Sequence, residues 1–70
     1  MKKIFSNSPI RVGDRVTVCG WETMTVFVKM VTYRSSEARW EILLDWGSHG
    51  TSKVFDCDEG KTWNRYNHLN

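Results

Sequence analysis

Apolar and polar residues alternate along most of this chain with a period of two, which predicts β-strands. The spacing of an amphipathic helix, at i, i+3, i+4 and i+7, never persists for more than a turn. We therefore expect five short strands, over residues 10–18, 24–33, 40–46, 51–57 and 64–66. The third strand has the most regular alternation and predicts a core face made of Trp40, Ile42, Leu44 and Trp46.

The second predicted strand is unusual because it is apolar on both faces. Val26 and Val28 fall on one face, whereas Phe27 and Val31 fall on the other. A strand that is buried along a single face does not need this pattern. A strand that bends, and changes its inward face partway along, does need it. We therefore expect the second strand to bend.

Two connections have recognisable turn chemistry. Gly47-Ser48-His49-Gly50 predicts a tight turn between the third and fourth strands, in which both glycines can take positive φ. Residues 58–63 predict a single helical or 3₁₀ turn just before the last strand.

Chain length limits the protein to one domain. A chain of seventy residues buries only about 60% of the surface that its unfolded form exposes. Large aromatic side chains can compensate for a small core, and the chain has four tryptophans, three phenylalanines and two tyrosines. We expect an N-terminal arm over 1–9, one all-β domain over 10–67 and a C-terminal tail over 68–70.

Charge and hydropathy restrict the partners and the cellular location that we expect. The formal net charge is only +2, with both signs mixed along the chain, so the basic stripe of a dedicated nucleic-acid binder is missing. Residues 1–9 lack the apolar stretch of an export signal, and no segment reaches the about 20 apolar residues of a membrane helix. We expect a cytoplasmic protein that does not bind membranes.

The order of strands and turns resembles the SH3-like β-barrels, including the KOW and Tudor modules. The residues Gly13-Asp14-Arg15-Val16, then Gly20, Met24-Thr25-Val26, Leu44-Asp45-Trp46 and Phe55 are similar to the pattern of the YodC-like family of uncharacterised bacterial proteins. The resemblance covers about residues 10–56. It implies a single five-stranded SH3-like barrel in a small bacterial or phage protein, and no specific activity.

Catalytic and metal-binding motifs are missing from the sequence. Asp45, Ser48 and His49 are neighbours around a tight turn, where side chains rarely reach one another as a triad requires. Cys19, Cys57 and the histidines are not spaced as paired metal ligands. We expect a protein that is not an enzyme and uses no cofactor or metal.

Aromatic residues in the loops are the candidate binding residues. Trp21 lies in the first long loop, Trp63 in the terminal turn, and Tyr66 close behind it. Together they would form a shallow groove that binds another protein, and protein binding is the function that we expect. The alternative is structural: Trp63 plugs one end of the barrel, and Trp21 covers the core of an undersized domain.

Basic residues offer a second function. If folding brings Arg15 and Arg65 together with Arg11 and Lys61, the barrel would bind nucleic acid as KOW modules do, with arginines on phosphates and aromatics stacked on bases. The short fourth and fifth strands also leave a free sheet edge. Pairing of that edge would make the protein a homo-oligomer.

Overall fold

A computed structural model describes residues 10–66. Five strands form one antiparallel sheet in the spatial order β4-β3-β2-β1-β5. Their bounds are β1 Arg15–Val18, β2 Val26–Arg34, β3 Arg39–Asp45, β4 Thr51–Phe55 and β5 Trp63–Arg65. The prediction of an all-β domain with five strands is confirmed; β1, β2 and β4 are shorter than the alternation suggested, whereas β3 and β5 have the expected length but begin one residue earlier. The predicted arm over 1–9 and tail over 68–70 lie outside the described residues.

The core covers one face of the sheet. Alternate side chains of β3, and of β2 before its irregularity, point to the inner side, where Val26, Val28, Ile42 and Leu44 are almost completely buried. The core side chains are Ile10, Val16, Val26, Val28, Ile42, Leu44 and Trp63. As expected for the third strand, Ile42 and Leu44 are buried and Trp46 packs against them. Trp40 is only half-buried.

A β-bulge at Lys29 changes the inward face of β2 and accounts for part of its apolar pattern. Val28 pairs with Leu44, and Met30 pairs with Leu43, so Lys29 is an extra residue with no partner of its own. Before the bulge Val26 and Val28 point into the core, and after it Val31 does. The predicted change of inward face is therefore confirmed.

The connections are short and are closed by hydrogen bonds. Gly47–His49 is a 3₁₀ turn, and its flanking glycines have φ of 68° at Gly47 and 96° at Gly50, as expected for a tight turn between β3 and β4. A second 3₁₀ turn covers Asp56–Asp58. It begins two residues earlier than the sequence indicated, and the Asp56 carboxylate accepts a hydrogen bond from the Trp40 backbone N–H at 3.1 Å.

The sheet does not close into a barrel. Among residues 10–66, β4 pairs only with β3 and β5 only with β1, so both strands are edges. Trp63 links the two edges instead. It begins β5, is buried to 1% exposure, and donates its indole N–H to the Phe55 carbonyl oxygen at the end of β4, at 2.8 Å. A side chain thus connects edges that backbone hydrogen bonds would join in a closed barrel.

Among residues 10–66, no helix has the length and the apolar character needed to span a bilayer.

Replacing Trp63 tests its role in linking the edges. Trp63→Phe keeps an aromatic ring but removes the N–H donor and part of the buried volume. We expect the free energy of unfolding to fall by about 1–3 kcal/mol, measured by urea unfolding followed by circular dichroism. Trp21→Phe is the matched control, since Trp21 is 59% exposed, and it should change stability by less than about 0.5 kcal/mol. Equal losses in the two variants would contradict this role.

Candidate functional site

One row of side chains crosses the outer face of the sheet, opposite the core. Phe27 pairs with Arg15 on one side and with Asp45 on the other. Asp45 in turn pairs with Thr51, and the Tyr66 backbone N–H donates to the Arg15 carbonyl at 3.1 Å. Directly paired residues point to the same face. We call this set the cross-strand row; from β5 to β4 it consists of Tyr66, Arg15, Phe27, Asp45 and Thr51.

Arg15 is held flat against Tyr66. Its guanidinium carbon lies 4.0 Å from the centre of the Tyr66 ring, a cation–π contact. Arg15 and Tyr66 line an open cleft of about 420 Å³ together with Arg65, Asp14, Gly13 and Ile10. The cation–π contact with Tyr66 holds the Arg15 guanidinium among the residues that line this cleft.

The two arginines of the cleft differ in whether a carboxylate neutralises them. Arg65 Nε forms an ion pair with Glu59 Oε2 at 2.9 Å. Arg15 forms no ion pair with any carboxylate within residues 10–66, and its Nε is buried without a hydrogen-bond acceptor. Asp14 accepts a hydrogen bond from the Arg11 backbone N–H at 2.9 Å. Arg15 therefore carries a positive charge that is held in place by Tyr66 and that no carboxylate within residues 10–66 neutralises.

The middle of the outer face is apolar. Phe27 is 44% exposed and Met30 is 53% exposed, and both belong to β2, the central strand of the sheet. Leu43 pairs with Met30 and extends this surface onto β3. Large exposed apolar side chains next to an arginine and a tyrosine are typical of the centre of a protein-binding surface.

An ion cluster occupies the other end of the outer face. Glu41 is only 9% exposed and lies between Arg34 and Lys53. Its Oε2 is 3.1 Å from Lys53 Nζ, and its Oε1 accepts a hydrogen bond from Arg34 Nε at 2.8 Å. The hydrogen bond from Lys53, and then that from Arg34, lower the pKa of the Glu41 carboxyl. Both oxygens of the Glu41 carboxylate are engaged by these two basic side chains, so Glu41 offers no free ligand group to a partner.

The residues predicted from the sequence do not form one groove. Trp63 is in the core, so the expectation that it lines a binding groove is wrong; the hydrophobic contacts of the core and the Phe55 carbonyl hold its indole. Trp21 is exposed but packs edge-on against Trp46, with ring centres 6.3 Å apart, on the core side of the sheet. Arg15, Arg65 and Tyr66 do meet, around the cleft.

Phe27 and Met30 are the residues that sequence reasoning missed. The signal was present, because the apolar pattern of the second strand extended over both faces. The bend accounts for only part of that pattern. Phe27 lies between two inward-pointing valines, before the bulge, and has no core position to fill. Apolar residues in excess of what a bend requires indicated an exposed apolar surface.

Metal-ligating residues do not converge in the described part of the chain. Within residues 10–66, no three histidine, cysteine or acidic side chains come close enough to hold an ion. Cys19 and Cys57 are both free thiols and both exposed. Ser48 and His49 lie in the exposed turn, and the neighbouring Asp45 Oδ1 accepts a hydrogen bond from the Gly47 backbone N–H at 2.8 Å.

Comparison with known proteins gives no relative for this chain: no family model, curated protein or solved structure matches it.

Removing the Glu41 charge tests the ion cluster. The folded-state pKa lies below the ordinary value of 4.5, so ionised Glu41 stabilises the fold above that value, and the stabilisation is lost as the pH falls through the folded-state pKa. We expect Glu41→Gln to unfold at a lower urea concentration than the wild type at neutral pH. The difference should shrink in acid.

The matched control for this prediction is Glu37→Gln. Glu37 pairs with Arg39 at the exposed end of the sheet, and surface pairs of this kind contribute little to stability. A Glu41→Gln variant whose deficit stays constant down to the lowest pH would contradict the electrostatic account.

Proposed function

We propose that this protein is a non-catalytic protein-binding module, and that it binds its partner through the outer face of the sheet. The single observation that carries the proposal is the cross-strand row, in which an apolar Phe27 stands between a cation and an anion on adjacent strands. This arrangement replaces the groove of loop tryptophans as the binding surface. The SH3-like resemblance remains part of the proposal, in the form of a partly open barrel whose edge strands are linked through Trp63.

The composition of the face supports protein recognition. Tyrosine, phenylalanine, methionine and arginine are enriched in protein interfaces. The row contains a tyrosine, a phenylalanine and an arginine, and Met30 lies beside it. Because the sheet fixes the backbone at each position, these side chains are ordered before a partner arrives. Pre-ordering lowers the entropic cost of binding.

Single-stranded nucleic acid is the second candidate. Across the strands, Tyr66, Arg15 and Phe27 place an arginine between two aromatic rings. This arrangement favours nucleic acid, because bases can stack on the rings. Asp45 on the same row weighs against it, because its carboxylate repels phosphates. We therefore place protein binding first.

Site-specific photo-crosslinking in cells tests the proposed function. A benzoylphenylalanine in place of Phe27 should form an adduct with one defined protein, and the same group in place of Tyr33 should not. Tyr33 is the matched control because it is 50% exposed on the same strand but faces the core side. Met30→Ser should then weaken binding of the purified partner about tenfold, which corresponds to about 1.4 kcal/mol.

Two outcomes would contradict protein binding through this face. Equal adducts from positions 27 and 33 would show no preference for the outer face. Adducts that disappear on nuclease treatment, together with oligonucleotide binding that weakens steeply with salt, would support the nucleic-acid candidate instead.

A further inference from the structure

The cross-strand row is complementary to itself. Phe27 lies on β2, the central strand of the five. Arg15 lies one strand away on one side, and Asp45 lies one strand away on the other. Adjacent strands are spaced about 4.8 Å apart. A basic and an acidic residue therefore flank the apolar Phe27, each on the strand next to it.

We infer that the partner bound by this face is a second copy of the same chain, related by a two-fold axis that runs along β2. Such an axis places Phe27 against its own copy. It also brings Arg15 of each copy to Asp45 of the other, so the contact is isologous and closes at two subunits. This inference rests on the proposed function, because it names the partner of the same face.

The state of Arg15 supports this pairing. The guanidinium is fixed by the Tyr66 ring and forms no ion pair within residues 10–66. Arg39 shows how an arginine on this face is satisfied when its partner is internal. It stacks on Phe55 at 3.4 Å and donates to Glu37 at 2.7 Å. Arg15 has the same stacking without the carboxylate.

Asp45 can supply the missing carboxylate. Its Oδ1 accepts a hydrogen bond from the Gly47 N–H, which holds the side chain in place. Its Oδ2 accepts no hydrogen bond from any residue of the described chain. A carboxylate that is fixed through one oxygen and open at the other can bind an arginine across an interface.

The rest of β2 is compatible with the axis. Met30 is 53% exposed on the same face, so the axis packs it against its own copy as well. At the far end of the strand Arg34 is already paired with Glu41, so the axis brings no unpaired cations together there. Two sheets can stack in this way with their strands nearly aligned, about 10 Å apart.

Charge exchange tests the inference, with the mass of the full chain measured by sedimentation over a concentration series. The wild type should dimerise. Arg15→Asp alone places like charges opposite each other at both contacts, as does Asp45→Arg alone. Each single variant should therefore weaken dimerisation at least tenfold. An equimolar mixture of the two variants should restore dimers, because each contact then joins opposite charges, and the double variant should dimerise by itself.

Two further variants separate dimerisation from folding. Asp45→Asn keeps an oxygen for the Gly47 N–H but removes the charge, so it should fold as the wild type does while weakening the dimer. Arg39→Gln removes a stacked arginine outside the row, and it should leave dimerisation unchanged. Circular dichroism reports folding in every variant.

Three results would overturn the inference. The first is a wild type that stays monomeric at the highest concentration. The second is a dimer that neither single charge variant weakens, which would indicate pairing through the β4 or β5 edge. The third is a mixture that fails to restore dimers although both variants are folded. A monomeric chain that still crosslinks a different protein from position 27 would overturn the inference alone and leave the proposed function standing.

Discussion

The buried indole of Trp63 is the contact on which the rest of this small domain depends. It fills the core below β1 and, through its N–H, holds the last strand to the end of β4. A chain of seventy residues has little apolar surface to bury, so one large side chain forms a substantial part of the interior. Because Trp63 is a bridge between edges, the sheet can enclose a core without closing by backbone hydrogen bonds.

A sheet with a core on one side must leave its other side to solvent or to a partner. The bulge at Lys29 lets β2 keep apolar contact with the core on both sides of the irregularity. The outer side then divides into two parts. Glu41 is paired with its two basic partners at one end. Phe27, Met30 and Arg15, which has no carboxylate partner within residues 10–66, remain at the other end. Recognition is therefore expected at the second part.

The alternation of apolar and polar residues was sufficient to predict the strands, the core face of β3 and the change of inward face in β2. Each of these depends on residues near one another in sequence. Trp63 could not be placed in this way: its burial depends on Phe55 and on pairing between the first and last strands. The cross-strand row depends on register, and a slip of one residue would turn Arg15 or Asp45 to the opposite face. Barrel closure was expected from resemblance, whereas the edges are joined through a side chain.

Backbone chemical shifts measured over a dilution series test most directly whether the outer face is the recognition surface. In an isotope-labelled sample of the unmodified chain, we predict that the amide signals of Arg15, Phe27 and Asp45 move together as the protein is diluted. The indole N–H signal of Trp63 should stay fixed, since it is sealed in the core. Shifts confined to β4, to β5 or to the Trp21 loop would contradict self-association through the outer face.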